Sequence, residues 1–240
     1  MLGLGHGAQT DTVGLAEIFS NNYSLDFDGA NDYIDLDSKA DMIDPAKGTF
    51  SAWVMVDTTS TTGQIVSCRR DANNLIQLFY HAGTNELRGT HKGDGTTQYA
   101  NVDAGETIEN SGNFHHVAMT WDTGDGDVKV YQDGVLKETT AGILNFGGDG
   151  PNKLDIGKSS GGDSGHFDGH IDEVSIFTEV VDIATLYNGG SPQDVQFSAL
   201  AGLVGYYRFT EGSGSDATDE SGNNNHGTLI HSPSWSTDTP

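Results

Sequence analysis

The sequence has few basic residues. Only 11 lysines and arginines stand against 35 aspartates and glutamates in 240 residues, which gives a formal net charge of −24. A surface this acidic repels phosphate backbones and so excludes nucleic-acid binding by charge. An anionic membrane surface is an unfavourable partner for the same reason. We interpret the acidity as a means of keeping the protein hydrated in salty water, in preference to a specific cationic ligand.

Cysteine and long apolar runs are equally scarce. The single cysteine, Cys68, permits neither an internal disulfide nor a zinc site built from several thiolates. Residues 201–207 form one of the longest apolar runs, far short of the roughly 20 residues that a membrane-spanning helix needs. Residues 1–22 lack the positive start and apolar stretch of a secretory signal, so we expect no export by that route.

Glycine is abundant, at 33 residues, and short alternating apolar segments are separated by polar turns. In residues 50–56, every second side chain is apolar on one face, which is typical of a strand. Asp133-Gly134 between two extended runs predicts a tight hairpin, and Asp182 is predicted to cap one short helix. Further predicted strands cover residues 64–68, 75–80, 86–90, 114–121, 127–131, 135–139, 153–157, 170–177 and 203–209. This pattern predicts an all-β fold, an antiparallel β-sandwich with one short helix.

Three stretches carry a family pattern. They are LDFDGANDYI at residues 25–34, FHHVAMTWD at 114–122 with VYQDG at 130–134, and FDGHIDEVSIF at 167–177 with LYNGG at 186–190. In this order they resemble the laminin-G-like, concanavalin A-like jelly roll family. The resemblance implies the fold over about residues 23–190 but leaves the function open, because one fold hosts many activities.

The C-terminal part departs from the usual order of this family. Residues 203–209 and 219–229 resemble the segment that usually opens the domain. We interpret residues 23–240 as a single sandwich in which this segment (about 203–230) fills its usual place from the other terminus, with residues 1–22 as an N-terminal arm. The alternative is a truncated second copy of the domain. Its strand edges would be exposed and its core too small.

An acidic constellation of Asp26, Asp28, Asp32 and Asp172 suggests a structural calcium ion. The turn from Asp28 to Asp32 offers carboxylates and backbone carbonyls, the oxygen ligands that Ca²⁺ prefers. The resemblance implies that Asp172 lies near the same end of the sandwich and that family members often bind calcium there. Asp28, Asp32 and Asp172 are therefore the candidate metal ligands. In the alternative interpretation, Asp28 forms an Asx turn and Asp172 accepts backbone hydrogen bonds.

The histidines and the acidic residues do not favour zinc or catalysis. His115 and His116 are adjacent in a strand and face opposite sides, so they cannot easily share one ion. His166 and His170 are four residues apart, a spacing that suits ligands on a helix. The resemblance implies that a glucanase of this class would carry glutamates where this chain has His170 and Val174. We therefore predict that the protein has no catalytic residues and is not an enzyme.

Aromatic and polar residues in loop-like surroundings are candidate sugar ligands. Sugar rings stack on exposed aromatic faces while polar groups bind the hydroxyls. The candidates are Tyr80, His81, Arg88, His91, Tyr99 and Trp235. The alternative for each residue is packing in the core or in a loop, as we expect for Trp53 and Trp121.

The general layout of the chain also resembles virion proteins of tailed phages from marine environments. The first functional hypothesis is a non-enzymatic structural or adhesion protein of the virion, such as a capsid decoration or tail-associated subunit. Its expected partners are other virion proteins or copies of itself, with neither nucleic acid nor membrane. The alternative is a lectin-like module that attaches to cell-surface polysaccharide, in the virion or outside the cell.

Overall fold

Two antiparallel sheets make up most of this protein's computed structural model. The structure describes residues 20–57, 61–84, 86–101, 108, 112–192 and 200–240. These residues form sixteen strands, a short 3-10 helix (Asp37–Met42) and one α-helix, α1 (Ile183–Tyr187). Within the described ranges, neither helix has the length and apolarity that crossing a membrane requires. The predicted all-β antiparallel sandwich is confirmed.

The strands are, in chain order, β1 (Ser24–Asp28), β2 (Tyr33–Asp35), β3 (Lys47–Val56), β4 (Gly63–Asp71), β5 (Asn74–His81), β6 (Glu86–Gly93), β7 (Thr96–Asn101), β8 (His115–Asp122), β9 (Asp127–Gln132), β10 (Val135–Ala141), β11 (Lys153–Ile156), β12 (Asp168–Phe177), β13 (Leu203–Tyr207), β14 (Asp216–Ala217), β15 (Gly227–Ile230) and β16 (Ser234–Ser236). The first sheet has the order β10-β9-β8-β3-β12-β1-β16, and β13 also pairs with β12. The second sheet has the order β14-β15-β2-β11-β4-β5-β6-β7.

The core lies between the two sheets because each strand turns alternate side chains inward. In β3, Phe50, Ala52 and Val54 are completely buried. They join one apolar cluster with side chains of the second sheet, such as Leu78. Trp121 is also fully buried in this core, as predicted. Burial of such side chains is the main source of the sandwich's stability.

The predicted hairpin and helix have the expected local geometry. Asp133 and Gly134 have φ angles of 50° and 75°, and they connect β9 to β10 as a two-residue turn. The Asp182 side chain caps α1 by accepting a hydrogen bond of 3.1 Å from the Ala184 amide.

Helix α1 covers part of the outer face of the first sheet. The Tyr187 ring stacks on Trp53 of β3, with ring centroids 6.0 Å apart and an interplanar angle of 24°. His116 of β8 is buried beside both rings, and the Ser51 hydroxyl lies 2.8 Å from its Nε2 atom. A second, smaller apolar cluster forms under this helix, and it is separate from the main core.

The C-terminal stretch contributes strands to both sheets. β13 pairs with β12 in the first sheet, and β15 pairs with β2 in the second. Tyr207 and Phe209 are buried, and the Tyr207 hydroxyl donates a hydrogen bond of 2.7 Å to the Asn225 carbonyl. Of the predicted N-terminal arm, residues 1–19 lie outside the described residues.

Candidate functional site

The outer face of the second sheet carries a connected polar surface at β5, β6 and β7. Alternation decides which side chains reach it. On β6, Leu87 enters the core while its neighbour Arg88 points outward. On β7, Ala100 is buried and Tyr99 is 47% exposed. Arg88 lies opposite Phe79 of β5.

Arg88 is held in place by hydrogen bonds to its neighbours. Its Nε and Nη2 atoms donate to Glu86 Oε2 at 3.1 and 2.9 Å, and Nη2 also donates to the Thr84 hydroxyl at 3.0 Å. The guanidinium carbon lies 5.7 Å from the centroid of the Tyr99 ring, within the range of a cation–π contact. We call these residues, together with His81, the Arg88–Tyr99 network.

Thr84 fixes the orientation of His81. The Thr84 hydroxyl donates its one proton to Glu86 Oε2 at 2.8 Å. Because this oxygen can then only accept, the contact of 3.0 Å with His81 must be a hydrogen bond donated by His81 Nδ1. In the neutral imidazole, Nε2 is then the acceptor.

The network is electrically balanced. Partial burial raises the pKa of the Glu86 carboxyl, but hydrogen bonds from Thr84 and Arg88 outweigh burial and hold this pKa below its usual value. Glu86 therefore stays ionised and compensates the charge of Arg88. The result is a fixed set of polar atoms beside a half-exposed aromatic ring, an arrangement that can bind a polar ligand with one flat apolar face.

The structure thus brings together three of the six predicted sugar ligands: His81, Arg88 and Tyr99. Sequence reasoning missed Thr84 and Glu86. Glu86 could have been found from its spacing, because it lies two residues before Arg88 in a strand and therefore on the same face.

The comparisons with known proteins agree with this lectin-like architecture. The family model of the concanavalin A-like lectin/glucanases superfamily (Laminin_G_3) matches residues 28–184. The chain belongs to this family. No curated protein matches the sequence significantly.

Three solved structures are similar to this family member in fold. A Bacteroides ovatus protein with an inferred carbohydrate-binding role has a TM-score of 0.60 and 17% identity, over 90% of this chain and 62% of its own. The heptameric pentraxin of Limulus polyphemus has a TM-score of 0.55 and 15% identity, over 72% and 84%. The CBM40 module of a Ruminococcus gnavus sialidase, bound to sialyllactose, has a TM-score of 0.57 and 14% identity, over 70% and 97%. The chain therefore spans less than two thirds of the Bacteroides protein.

Two of the predicted sugar ligands, Tyr80 and His91, are buried, so the prediction that they bind sugar is wrong. Tyr80 is 1% exposed and packs in the core, since it points inward from β5. His91 is completely buried, and its Nε2 donates a hydrogen bond of 3.3 Å to the Pro45 carbonyl. Burial lowers the pKa of His91 to about 4, so this ring is neutral at pH 7. Neither side chain lies on a surface that a ligand reaches.

Trp235 lies elsewhere in the sandwich. It is on β16, opposite Leu25 of β1, and packs against the main core. β16 belongs to the first sheet, whereas the Arg88–Tyr99 network is on the second. The structure therefore does not bring Trp235 to this network.

The three predicted calcium ligands do not meet in one place. Asp28 lies opposite Asp168 in the pairing of β1 and β12. Asp172 is four residues further along β12, a separation of about 13 Å at the rise of a strand. Its carboxylate accepts hydrogen bonds of 2.8 Å each from Asn21 Nδ2 and from the Glu173 amide. The geometry therefore separates Asp172 from the turn.

Asp28 and Asp32 remain close to each other. Asp28 Oδ1 accepts the amides of Ala30 and Asn31 at 2.8 and 3.2 Å, as in an Asx turn. The Asp28 amide donates to Asp32 Oδ2 at 3.3 Å. A calcium ion at these two residues stays a prediction. If it binds there, added calcium raises the melting temperature and a chelator lowers it, because a ligand of the native state stabilises that state.

A groove of about 780 Å³ lies outside the network and has a different character. Its lining includes the carboxylates of Asp41, Asp44, Asp71 and Asp149, with Arg70 as the basic residue. Its described lining residues include no aromatic ring on which a sugar could stack. Between this groove and the open face around Tyr99, the chemistry of carbohydrate recognition therefore favours the open face.

Proposed function

We propose that this protein is a non-enzymatic carbohydrate-binding module that contacts its ligand through the Arg88–Tyr99 network. The observation that carries the proposal is the half-exposed Tyr99 ring beside a guanidinium group that Glu86 and Thr84 hold in position. The lectin-like fold supports it, and so do the carbohydrate-binding proteins that share this fold.

Each part of the network has a role in binding. The exposed ring of Tyr99 stacks on the apolar face of a sugar ring. The Nη1 group of Arg88 makes no hydrogen bond within the described residues, so it can donate to a sugar hydroxyl. His81 Nε2 supplies an acceptor. Because these groups are already fixed, binding costs less conformational entropy than ordering flexible side chains would.

The charge of the protein favours a neutral sugar. Glu86 compensates Arg88, and the chain as a whole carries a formal charge of −24. A glycan rich in carboxylates or sulfates would therefore be repelled as it approaches. This expectation differs from the sialylated ligand of the CBM40 module.

The sequence also leads to the hypothesis that the protein is part of a virion, and this role is compatible with carbohydrate binding. As a decoration or tail-associated subunit, the protein would present the Arg88–Tyr99 network to cell-surface polysaccharide. Its partners would then include other virion proteins. This role stays a hypothesis, which electron microscopy of particles from the native source would test.

The test of carbohydrate binding begins with a glycan array, followed by calorimetric titration with the best neutral ligand. We expect Tyr99→Ala to weaken binding about tenfold, which corresponds to ~1.4 kcal/mol. Tyr99→Phe should bind nearly as well as the wild type, because it keeps the ring. Leu136→Ala is the matched control, since Leu136 is also 47% exposed but lies on β10 of the other sheet. Absence of any bound glycan, or equal binding by Tyr99→Ala, would contradict the proposal.

A further inference from the structure

Two carboxylates and one imidazole converge on the outer face of the first sheet. Asp26 of β1 lies opposite His170 of β12, and Asp57 follows the end of β3, the strand on the other side of β12. One ligand atom from each of these three side chains lies within 4.8 Å of the other two. We call them the Asp26–His170 cluster. It is separate from the Arg88–Tyr99 network, which lies on the second sheet.

The hydrogen bonds of Ser24 determine which nitrogen of His170 carries the proton. The Ser24 hydroxyl donates its one proton to the Asp238 carbonyl at 2.7 Å. Its oxygen lies 3.2 Å from His170 Nδ1 and can only accept there, so Nδ1 is the protonated nitrogen. In the neutral ring, the lone pair is therefore on Nε2.

The lone pair of His170 points into a group of carboxylates. His170 is only 6% exposed, and its Nε2 lies 4.0 Å from Asp26 Oδ1, too far for a hydrogen bond. Among the described residues, Nε2 has no hydrogen-bond partner. A lone pair that faces several negative oxygens is unfavourable unless a cation, either a proton on the ring or a metal ion, lies between them.

In the part of the chain that the structure describes, no basic side chain supplies that cation. Within the described ranges, no lysine or arginine forms an ion pair with the carboxylates of Asp26, Asp28, Asp57, Asp168 or Asp238. Burial raises the pKa of Asp26, His170 lowers it, and the neighbouring carboxylates raise it further. A second acidic cluster, on the other sheet, consists of Asp35, Asp37 and Asp155. Its charge is already compensated by lysines, because Asp37 pairs with Lys153 and Asp155 lies 3.7 Å from Lys158.

We propose that Asp26, Asp57 and His170 bind a divalent first-row transition-metal ion of the zinc class. The imidazole nitrogen distinguishes this site from a calcium site, since Ca²⁺ takes oxygen ligands whereas imidazole suits zinc and its neighbours. Two ligands of one tetrahedral zinc ion lie ~3.4 Å apart, given Zn–N and Zn–O distances near 2.1 Å. Small rotations of the two aspartates would close the present separations, since the Asp26 side chain is 41% exposed.

Ser24 would then be the outer partner that orients the metal-binding histidine. A histidine that ligates a metal almost always donates its other N–H to a fixed acceptor, and the contact of His170 with Ser24 has this form. Three protein ligands leave a fourth position for water or an external ligand. This metal site would be a second function of the protein, independent of carbohydrate binding at the Arg88–Tyr99 network.

The experiment uses the full chain after treatment with a chelator. Zn²⁺ is added in a calorimeter, and Co²⁺ is added in a spectrophotometer, where tetrahedral coordination produces visible absorption. We expect one ion per chain. Asp57→Asn should weaken Zn²⁺ binding by about tenfold or more, because it removes one of the three metal ligands. Because the Asp57 side chain is exposed, we expect the variant to fold.

Two further variants make the outcome decisive. Asp163→Asn is the matched control, because Asp163 lies 3.1 Å from His166, another buried histidine, and should leave Zn²⁺ affinity unchanged. His170→Gln should abolish the Co²⁺ absorption; if this variant does not fold, Asp57→Asn alone decides. The proposal is overturned if Zn²⁺ does not bind the wild type or if Asp57→Asn binds it with unchanged affinity.

Discussion

The hydroxyl of Tyr206, on β13, donates a hydrogen bond to the buried carboxyl of Glu173, on β12. Glu173 lies in the β-bulge between Asp172 and Ser175 and has a φ angle of 48°, which is unusual for a residue other than glycine. Its neighbour Asp172 accepts the side chain of Asn21 at 2.8 Å. Two consecutive acidic residues therefore connect the N-terminal and C-terminal segments to the central strand.

The first prediction concerns the pH dependence of stability. Burial raises the pKa of Glu173 to about 7, against the hydrogen bond from Tyr206 and the charge of Arg208, which lower it. Between the unfolded pKa of 4.5 and about 7, the native state keeps a proton that the unfolded state releases. This group's contribution to stability is therefore lost as the pH rises through that window.

Glu173→Gln should remove this loss, because glutamine accepts the Tyr206 hydrogen bond without titrating. The free energy of unfolding of the variant, relative to wild type, should rise from pH 4.5 to about 7 and then level off. Urea unfolding at several pH values measures it. Glu179→Gln, at an exposed ion pair with Lys47, is the control. A constant difference between Glu173→Gln and wild type over this range would refute the prediction.

A second prediction concerns close packing at Gly48. A Cβ atom there would lie 2.3 Å from Trp121 Cζ2 and 2.6 Å from the Phe177 carbonyl oxygen. We expect Gly48→Ala to lower the free energy of unfolding by ~1–3 kcal/mol through overpacking. Gly162→Ala is the matched control, because nothing lies within 4 Å of its added Cβ. Equal unfolding midpoints in urea for the two variants would show that the core adapts freely.

The third prediction concerns the single thiol. Cys68 is fully buried in β4, and burial raises the pKa of its thiol far above the usual value. We expect no reaction with a chromogenic disulfide reagent in the native state and complete reaction in urea, followed by absorbance. Rapid labelling of the native protein would mean that β4 opens locally.

The fourth prediction concerns the C-terminal stretch. A chain ending at residue 200 would leave β12 and β2 without β13 and β15, and it would lack the buried rings of Tyr207 and Phe209. We expect this truncation to abolish cooperative thermal unfolding, measured by circular dichroism. A full-length Phe209→Leu variant serves as the control, since it keeps every strand and should melt cooperatively at a lower temperature. A truncated chain that unfolds cooperatively would indicate a sandwich complete without β13 and β15.

The strands could be predicted because their signals are local. Alternation located β8 and β12 to within two residues, and Asp133-Gly134 located the hairpin because glycine and aspartate adopt positive φ. Sequence reasoning missed β7, in which polar residues outnumber apolar ones and which becomes a strand by pairing with β6. Strand propensity is weak where pairing decides the conformation.

The site residues were harder to predict because their positions depend on register. His81, Arg88 and Tyr99 meet because β5, β6 and β7 are neighbours, whereas Tyr80 is one position away from His81 and points into the core. A shift of one residue moves a side chain to the other face of a sheet. Asp26, far from His170 in sequence, lies opposite it only because β1 pairs with β12. No spacing along the chain contains that information.

The stacking of Tyr187 on Trp53 gives this tryptophan surroundings that differ from those of Trp121 in the main core. We expect Trp53 emission to report on the helix that covers it and Trp121 emission to report on the interior between the sheets, while Trp235 on β16 is the third emitter. Undocking of α1 therefore has a spectral signature distinct from global unfolding, one that can be followed without any added dye.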